Sequence, residues 1–215
     1  MIYLAARRMK EHWEQVYDQK KVEELGWYES NPGPSLKLIE LCKLHKSARI
    51  LNVGAGATTL VDELLDLGYK NMIANDISPA ALEELRQRLG PRRSREVDWI
   101  VDDLTNPDKL NKLIQIDLWH DRAVLHFFND QNSQEAYFAL LRYLVKPGGF
   151  AIIAAFNLNG AQICSGLPVF RYDARMLQGK IGSDFTLRES FDYTYTQPAG
   201  DTREYIYTLF QRSSI

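Results

Sequence analysis

A short apolar run that ends in two glycines is the most informative pattern along the chain. The run covers residues 50–53, Gly54 and Gly56 follow it one residue apart, and an amphipathic segment begins at Leu60. This order predicts a buried strand, a tight turn and a helix. Glycines leave no Cβ in the way of a ligand, and the free N–H groups at the start of a helix face the same space. The stretch therefore predicts a site for an adenosine-containing cofactor.

A second apolar run ends in an acidic residue that is expected to belong to the same site. It covers residues 71–75 and ends at Asp76. In nucleotide-binding folds, a carboxylate roughly 20 residues after the glycines accepts hydrogen bonds from ribose hydroxyls. The Gly-x-Gly turn also occurs in ordinary strand–helix corners, and it is the spacing to Asp76 that makes the site a nucleoside-binding one.

Apolar runs and amphipathic segments alternate along the rest of the chain. We expect helices over 3–25, 35–45, 58–67, 79–89, 107–114, 131–145 and 172–180, and further strands over 71–77, 96–102, 115–121 and 149–156. This alternation predicts right-handed crossovers and a parallel sheet with helices on both faces. Two β-rich runs at 186–195 and 202–210, joined by a Pro/Gly turn, predict a closing antiparallel hairpin. That hairpin disfavours the two-halved nicotinamide fold.

Length and charge narrow the class of protein. With 215 residues, 45% of them apolar, the chain can bury one substantial core. We therefore predict a single domain over 1–215, with a helical cover at 1–45 and the main core at 46–215. A formal charge of −2 argues against a broad nucleic-acid-binding surface, and the basic run at 92–95 is interpreted as a solvated loop.

Several sequence signals that would indicate a membrane, secreted or metal-binding protein are absent from the chain. No apolar run approaches the roughly 18 residues of a membrane span, and the early charged residues do not resemble a signal peptide. Cys42 and Cys164 are far apart and have no paired metal-ligand spacing. We expect a reduced, cytoplasmic protein without a metal, a nucleic-acid partner or a membrane partner, working as a monomer or weak dimer.

From about Arg49 onward the chain resembles the class I S-adenosylmethionine-dependent methyltransferases. Their glycine motif is acid-x-Gly-x-Gly-x-Gly, and this chain has Asn52-Val-Gly54-Ala-Gly56-Ala-Thr58. The resemblance implies an α/β fold: a Rossmann-like, doubly wound, mainly parallel seven-stranded sheet with a C-terminal antiparallel β-hairpin and N-terminal helices. It also implies S-adenosylmethionine as cofactor and S-adenosylhomocysteine as product. Asn52 replaces an acid that commonly supports the methionine end of the cofactor.

The same resemblance implies roles for individual residues. Asp76 is expected to bind the ribose, with Ile77 against the adenine. Asp103 is expected to accept from the adenine amino group, with Leu104 beside it, and Asp102 competes with Asp103 for that role. The full set of expected cofactor contacts is Trp13, Asn52, Gly54, Ala55, Gly56, Asp76, Ile77, Asp103, Leu104 and His120.

The end of the fourth predicted strand supplies the candidate catalytic residues, His120 and Asp121. Ligands of open parallel sheets lie beyond the carboxyl ends of the strands. His120 titrates near neutral pH and can take a proton from an ammonium or thiol acceptor. A second interpretation remains open, in which Asp121 and Arg122 form a buried ion pair and His120 lines the adenosine pocket.

Three functions are compatible with this sequence. We expect an enzyme that moves a methyl group to a nitrogen or sulfur atom of a small molecule. The alternatives are a protein-lysine methyltransferase and a non-catalytic protein that binds S-adenosylmethionine. The lysine alternative rests on Trp13-Glu-x-x-Tyr17 and Trp27-Tyr28, whose layout is similar to eukaryotic lysine methyltransferases acting on elongation factor 1A.

Overall fold

A seven-stranded sheet forms the centre of the fold in the computed structural model, which describes residues 2–214 and the side chains from Arg8 onward. The strands are β1 Arg49–Val53, β2 Asn71–Asp76, β3 Val97–Val101, β4 Ile116–Arg122, β5 Val145–Phe156, β6 Ile163–Cys164, β7 Leu167–Pro168, β8 Phe185–Thr196 and β9 Thr202–Arg212. β6 and β7 pair in a small separate hairpin, and the sheet has the order β3-β2-β1-β4-β5-β9-β8. β1 to β5 are parallel and β9 is antiparallel to both neighbours, which confirms the predicted fold class.

Helices cover both faces of the sheet. They are α1 Ile2–Gln19, α2 Gly33–Leu41, α3 Leu60–Asp66, α4 Pro79–Arg93, α5 Gln131–Leu144 and α6 Ala174–Ile181. Buried residues of α2, α3 and α4 pack in one apolar cluster with one set of alternating strand residues, while those of α5 and α6 pack with the other set. A parallel sheet buried on both faces requires such near-continuous apolar strands.

Polar caps fix where the helices begin. The Ser78 hydroxyl accepts from the backbone N–H of the third residue of α4, and the carboxylates of Asp130 and Asp173 accept in the same way at the start of α5 and α6. Each cap satisfies a backbone donor that has no partner within its helix. Pro79, at the first position of α4, loses no helical hydrogen bond there.

The strand order reverses at β1, which is the topological switch point of the sheet. β1 pairs with β2 on one side and with β4 on the other, and Asn52 is the register partner of His120. Crossovers leave in opposite directions from this point and open a crevice beyond the carboxyl ends of the strands. The glycine turn at 54–56 therefore lies at the place where the fold provides a ligand site.

Several sequence-based boundaries were wrong: α2 ends at Leu41 and not at 45, α4 continues to Arg93, and β5 begins at Val145 and not at 149. The two largest differences lie elsewhere. Helix α1 ends at Gln19, before a short 3-10 turn at Val22–Glu24, and the helix expected over 107–114 is reduced to a 3-10 turn at Leu110–Lys112. The Asp102 carboxylate explains the second difference, because it accepts from the backbone N–H groups of residues 108, 109 and 110. These donors are held by one side chain and the segment folds around it.

Residues 26–29, which we call the strap, tie the N-terminal region to the core. All four of their carbonyl oxygens accept hydrogen bonds from side chains: Gly26 from Gln197, Trp27 from Arg122, Tyr28 from Tyr195, and Glu29 from Thr59. The donors come from β4, the β8–β9 hairpin and the residue before α3. The strap is therefore fixed by tertiary contacts although it has no regular structure of its own.

Two negative findings apply to the part of the chain that the structure describes. None of its helices combines the length and apolar character needed to cross a membrane. Its His, Cys, Asp and Glu side chains nowhere form a group of three that could hold a metal ion.

Candidate active site

A cavity of about 700 Å³ opens beyond the carboxyl ends of β1 to β4. Its roof comes from α1 and the strap, and one wall comes from the segment that joins β4 to α5. Side chains that line it include Trp13, Tyr17, Trp27, Asn75, Asp76, Ile77, Asp102, Asp103, Leu104, Arg122, Val124, Phe127, Phe128 and Cys164. Sites for small organic ligands span about 300–1,000 Å³, so this cavity has room for a nucleoside cofactor together with a compact second ligand.

Asp76 stands at the end of β2 with its carboxylate held from two sides. Oδ2 accepts from the Gly56 N–H at 2.8 Å and Oδ1 from the Ser78 N–H at 2.9 Å. Burial raises the pKa of this carboxyl to about 6, although the backbone hydrogen bonds lower it in part. Because Asp76 lines the cavity, its oxygens can also accept from the hydroxyls of a ribose.

Asp102 and Asp103, the two competitors for the adenine contact, both line the cavity but have different surroundings. Both oxygens of Asp102 accept from backbone N–H groups of residues 108–110. In Asp103, a single oxygen, Oδ1, accepts hydrogen bonds from both the N–H and the hydroxyl of Thr105. The geometry therefore favours Asp103 as the ligand contact and gives Asp102 a structural role.

The two glycines of the turn are required by their neighbours. Gly54 has φ +54° and Gly56 has φ +49°, a region that side chains rarely adopt. A Cβ at Gly54 would overlap the Val124 side chain, and one at Gly56 would overlap the hydroxyl of Tyr17. Tyr17 thus lies directly over the turn.

Three backbone N–H groups in and just after the glycine turn already have partners within the protein. The N–H of Ala55 donates to Asn75 O, that of Gly56 to Asp76, and that of Thr58 to Ala55 O. These bonds close the turn on β2. At Gly54 and Gly56 the absence of a side chain lets a ligand come close to the backbone.

Aromatic side chains form the roof. Trp13 packs edge-to-face against Trp27 and Phe127 with ring centroids 5.3 and 5.0 Å apart, and Trp27 Nε1 lies 3.3 Å from the Tyr17 hydroxyl. Such pairs stabilise more than their buried area alone. Tyr17 is a site residue that the sequence reasoning did not select, although its i, i+4 spacing from Trp13 places both on one face of α1.

A second cavity, of about 40 Å³, lies next to the first and shares Trp27, Gly54 and Arg122 with it. Asn52, Ala55 and His120 line this small cavity.

His120 is built into a neutral network below the small cavity. Its Nδ1 is 2.8 Å from Asn52 Oδ1 and its Nε2 is 2.9 Å from the Ser35 hydroxyl. Burial lowers its pKa to about 3, with a smaller contribution from Arg122, so the ring is neutral at physiological pH. With both ring nitrogens engaged and the large cavity elsewhere, His120 is placed to orient Asn52 and not to take a proton from an acceptor.

Asp121 faces the opposite side of β4 and lines neither cavity. Its carboxylate accepts from the N–H groups of Val124 and Leu125 and, at 2.6 Å, from the Tyr137 hydroxyl. It is completely buried. This corrects the expectation that Asp121 faces the acceptor, because alternation along the strand turns its side chain into the helix-covered core, where it shapes the β4–α5 turn.

Arg122 is paired with Glu29, which corrects the alternative pairing with Asp121. Arg122 Nε lies 2.9 Å from Glu29 Oε2 and donates to the Tyr207 hydroxyl at 3.0 Å, while Nη1 donates to Trp27 O at 2.8 Å. The guanidinium also lies about 5 Å from the rings of Tyr195 and Tyr205. Both charged side chains are nearly buried, with 10% and 7% exposed.

Comparison with known proteins points to one class of enzyme. Residues 50–149 match a family described as a methyltransferase domain. The chain is 27% identical over 175 residues to EEF1A lysine methyltransferase 2 of Danio rerio, covering 75% of this chain and 73% of that protein. It is 31% identical over 176 residues to the eEF1A lysine and N-terminal methyltransferase of Mus musculus, covering 80% of this chain but only 23% of the longer mouse protein.

Solved structures share the whole fold at low sequence identity. A SAM-dependent methyltransferase from Anabaena variabilis superimposes with a TM-score of 0.77 and 13% identity, over 97% of this chain and 95% of that one. The 1,6-didemethyltoxoflavin-N1-methyltransferase of Burkholderia thailandensis, with 1,6-didemethyltoxoflavin and S-adenosylhomocysteine bound, gives 0.65 and 17% over 98% and 89%. The methyltransferase domain match and the methyltransferase relatives, together with this fold, show an S-adenosylmethionine-dependent methyltransferase with S-adenosylmethionine as its cofactor.

Proposed function

We propose that the protein transfers the methyl group of S-adenosylmethionine to a nitrogen or sulfur atom of a small molecule bound in the large cavity. The observation that carries this proposal is the roof: α1 and the strap, through Trp13 and Trp27, cover the cavity from above. A roofed cavity of about 700 Å³ suits a cofactor and a compact acceptor held side by side.

In this proposal the adenosine lies over the ends of β2 and β3. Asp76 accepts from the ribose hydroxyls, Asp103 accepts from the adenine amino group, and Ile77 and Leu104 pack against the base. The chain passes closest to the cofactor at Gly54-Ala55-Gly56. Trp13 covers the cofactor from α1, and Asn52, oriented by His120, provides neutral hydrogen bonding near its methionine end.

The walls nearest the end of β4 then face the acceptor. They include Phe127, Phe128, Asp130 and Cys164 together with Arg122. Methyl transfer from a sulfonium is an in-line displacement, so the protein must hold the acceptor lone pair opposite the departing sulfur at about 3–3.5 Å from the methyl carbon. The cofactor supplies the activated methyl group, and these residues supply position and exclude water.

Protein-lysine methylation is the second candidate, favoured by the names of the two curated relatives. A lysine side chain enters such a site as an ammonium and must lose a proton before it attacks. Acidic walls at the acceptor end would assist this; Asp130 lines the cavity two residues beyond Phe128, while the charge of Arg122 at the end of β4 is paired with Glu29. The roof over the cavity, and not the charge of its walls, is the reason for placing the small-molecule acceptor first.

Methyl uptake from labelled S-adenosylmethionine tests the proposal. The protein would be incubated separately with panels of small amines and thiols and with elongation factor 1A and its lysine peptides. We expect label in the small-molecule panel and none in the protein, and the Asp76→Ala variant should lose that activity. Asp98→Ala is the matched control, since Asp98 is an exposed carboxylate near the start of β3. Label confined to the protein would replace the first candidate with the second.

A further inference from the structure

We propose that the acceptor end of the large cavity leads, beside Cys164, into a subsite where Arg122 and Arg203 bind a carboxylate of the methyl acceptor. The proposal deepens the function given above and rests on it. It names the substrate class as compact amines or thiols that carry a carboxylate.

The two arginines lie on one face of the sheet and at the same end of it. Arg122 at the end of β4 is the register partner of Ala154 in β5, which in turn pairs with Tyr207 of β9. Arg203 precedes Tyr207 by four residues on β9, and side chains an even number of residues apart on a strand share a face. Because β9 runs antiparallel to β5, its first residues lie at the carboxyl end of β4 and β5, where the cavity opens.

Cys164 connects the cavity to this pair of arginines. Its side chain lines the cavity, and the positive charges that act on its thiol come from Arg203 first and Arg122 second. Burial nevertheless raises the pKa of the thiol to about 11, so Cys164 stays neutral. The surroundings favour a negative charge at this place, and the cysteine does not supply it.

Each arginine has a buried donor without a partner. Arg122 uses Nε and Nη1 in the bonds described above, while its Nη2 is buried and unpaired. Arg203 Nη1 donates to the Thr202 carbonyl at 2.8 Å, while its Nε is buried and unpaired. A buried unpaired donor costs free energy unless a ligand satisfies it. A carboxylate has two oxygens with several lone pairs, so a single carboxylate can accept from both guanidinium groups.

The ion pair with Glu29 does not cancel this preference for an anion. Glu29 lies against Nε of Arg122, on the side of the strap, and Arg203 adds a second guanidinium. One carboxylate for two guanidinium groups leaves one uncompensated positive charge. A carboxylate from the acceptor restores neutrality in this largely buried region.

His126 adds a third buried group with unused hydrogen-bonding capacity. Its ring lies 4.4 Å from the ring of Phe156, which lies 4.9 Å from that of Tyr205, and both of its nitrogens are buried without a partner. A neutral imidazole carries one N–H. Arg122 is close enough for its charge to lower the pKa of His126, although burial is the larger cause. The surroundings of Arg122 therefore contain more donors than the protein satisfies.

The hairpin of β6 and β7 forms the wall through which the carboxylate passes, because the donor atoms themselves are buried. Cys164 belongs to β6, which pairs with β7 over two residues only. Ile163 is 61% exposed, and a Cβ at Gly166 would meet no atom within 4 Å, so the hairpin is loosely packed at its tip. A shift of this short hairpin opens the subsite without disturbing the main sheet.

Titration calorimetry of the complex with S-adenosylhomocysteine tests this subsite. The probes are two matched pairs, thioglycolate with thioglycolamide and β-alanine with β-alaninamide, in which the amide removes the carboxylate. The variants are Arg203→Gln and the conservative Arg203→Lys. Arg188→Gln is the matched control, because Arg188 is an exposed arginine on β8 that bonds to Gln211 and lines neither cavity. Methyl transfer from labelled S-adenosylmethionine to the same probes is measured in parallel.

We expect the carboxylate of at least one pair to bind about tenfold to a hundredfold more tightly than its amide, the range of a hydrogen bond to a charged group. Arg203→Gln should bring this ratio close to one without changing the affinity for S-adenosylhomocysteine, and Arg203→Lys should recover part of it. The control should keep the full ratio. Because the ratio is taken within each variant, a general loss of folding cannot imitate this pattern.

Equal affinity for carboxylate and amide in both pairs, or a preference that Arg203→Gln leaves intact, would overturn the subsite. Carboxylate-selective binding without methyl transfer to any small molecule is a different result, and it would contradict the proposed function while supporting the anion site.

Discussion

At the adenosine end of the cavity the important carboxylates leave the ends of two adjacent strands, whereas the opposite end is assembled from separate parts of the chain. Asp76 closes β2, and Asp103 follows β3 by two residues. The small cavity instead combines the strap, β1, the turn that precedes α3, and β4. The first arrangement follows from strand order alone, and the second depends on how the N-terminal region is tied down.

The two ends also differ in how their charges are satisfied. Asp76 and Asp103 are held mainly by backbone N–H groups close in sequence, apart from the bond between Asp76 and Gly56. Arg122 and Glu29 are held by each other across the fold. An ion pair that is nearly buried is sensitive to the loss of one partner, because the other charge is left uncompensated. The adenosine end should therefore tolerate changes in the strap better than the small cavity does.

The largest effect should come from the adenosine end. Asp76→Ala removes the ribose acceptor and leaves the Gly56 and Ser78 N–H groups without their partner. We expect S-adenosylhomocysteine to bind about 1–3 kcal/mol more weakly, measured by calorimetric titration. Thermal unfolding of the ligand-free variant checks that it still folds, and unchanged affinity in a folded variant would reject the ribose assignment.

Lowering the pH should weaken cofactor binding at the adenosine end of the cavity. The carboxyl of Asp76 has its pKa raised to about 6 by burial, so it gains a proton as the pH falls through 6 and loses acceptor capacity. Affinity for S-adenosylhomocysteine should drop by about tenfold per pH unit below that value. Affinity for S-adenosylhomocysteine that stays flat between pH 7 and 5 would contradict the role of Asp76.

The stability of the ligand-free protein should change in the opposite direction to its cofactor affinity as the pH falls. Asp76 and Asp121 both have folded-state pKa values of about 6, above the value of about 4 expected in the unfolded chain. The folded protein therefore takes up protons more readily than the unfolded chain between these values. The contribution of these two groups to the free energy of unfolding should rise as the pH falls from about 6 to 4, which ligand-free denaturation at several pH values would measure.

A smaller effect is expected on the floor of the small cavity. His120→Leu leaves Asn52 and Ser35 without their shared partner and should weaken S-adenosylhomocysteine by about tenfold. Turnover at saturating cofactor should change little, because His120 does not reach the large cavity. A large fall in turnover with unchanged cofactor affinity would instead return His120 to the role of base.

The smallest effect concerns the strap. The Tyr195 hydroxyl donates to Tyr28 O, and Tyr195→Phe removes that bond while keeping the ring beside Arg122. We expect a loss of about 1 kcal/mol in the free energy of unfolding and a two- to fivefold weaker S-adenosylhomocysteine, with 5′-methylthioadenosine, which lacks the amino-acid end, unaffected. An equal loss for both ligands would show that the strap supports the whole cavity and not one end.

Much of this site could be predicted from the sequence because its signals are local. The apolar run, the glycine pair and the next amphipathic segment fix a strand, a turn and a helix within about twenty residues. The spacing to Asp76 then places a carboxylate at the neighbouring strand end. Where a side chain interfered with local structure the prediction was wrong, as for residues 107–114, whose backbone donors are taken by Asp102.

The rest was decided by tertiary structure. His120 is hydrogen-bonded to Ser35, 85 residues away in sequence, and Arg122 to Trp27, 95 residues away. No local sequence pattern predicts such partners. The sequence also did not tell which side chains at the end of β4 face the cavities. Arg122 lines both cavities, whereas Asp121, one residue earlier, points into the core. Sequence by itself determined the sheet and the adenosine end, since hydrophobic period and turn chemistry act over short distances. The charge pattern of the opposite end arose only when folding brought the strap onto β4.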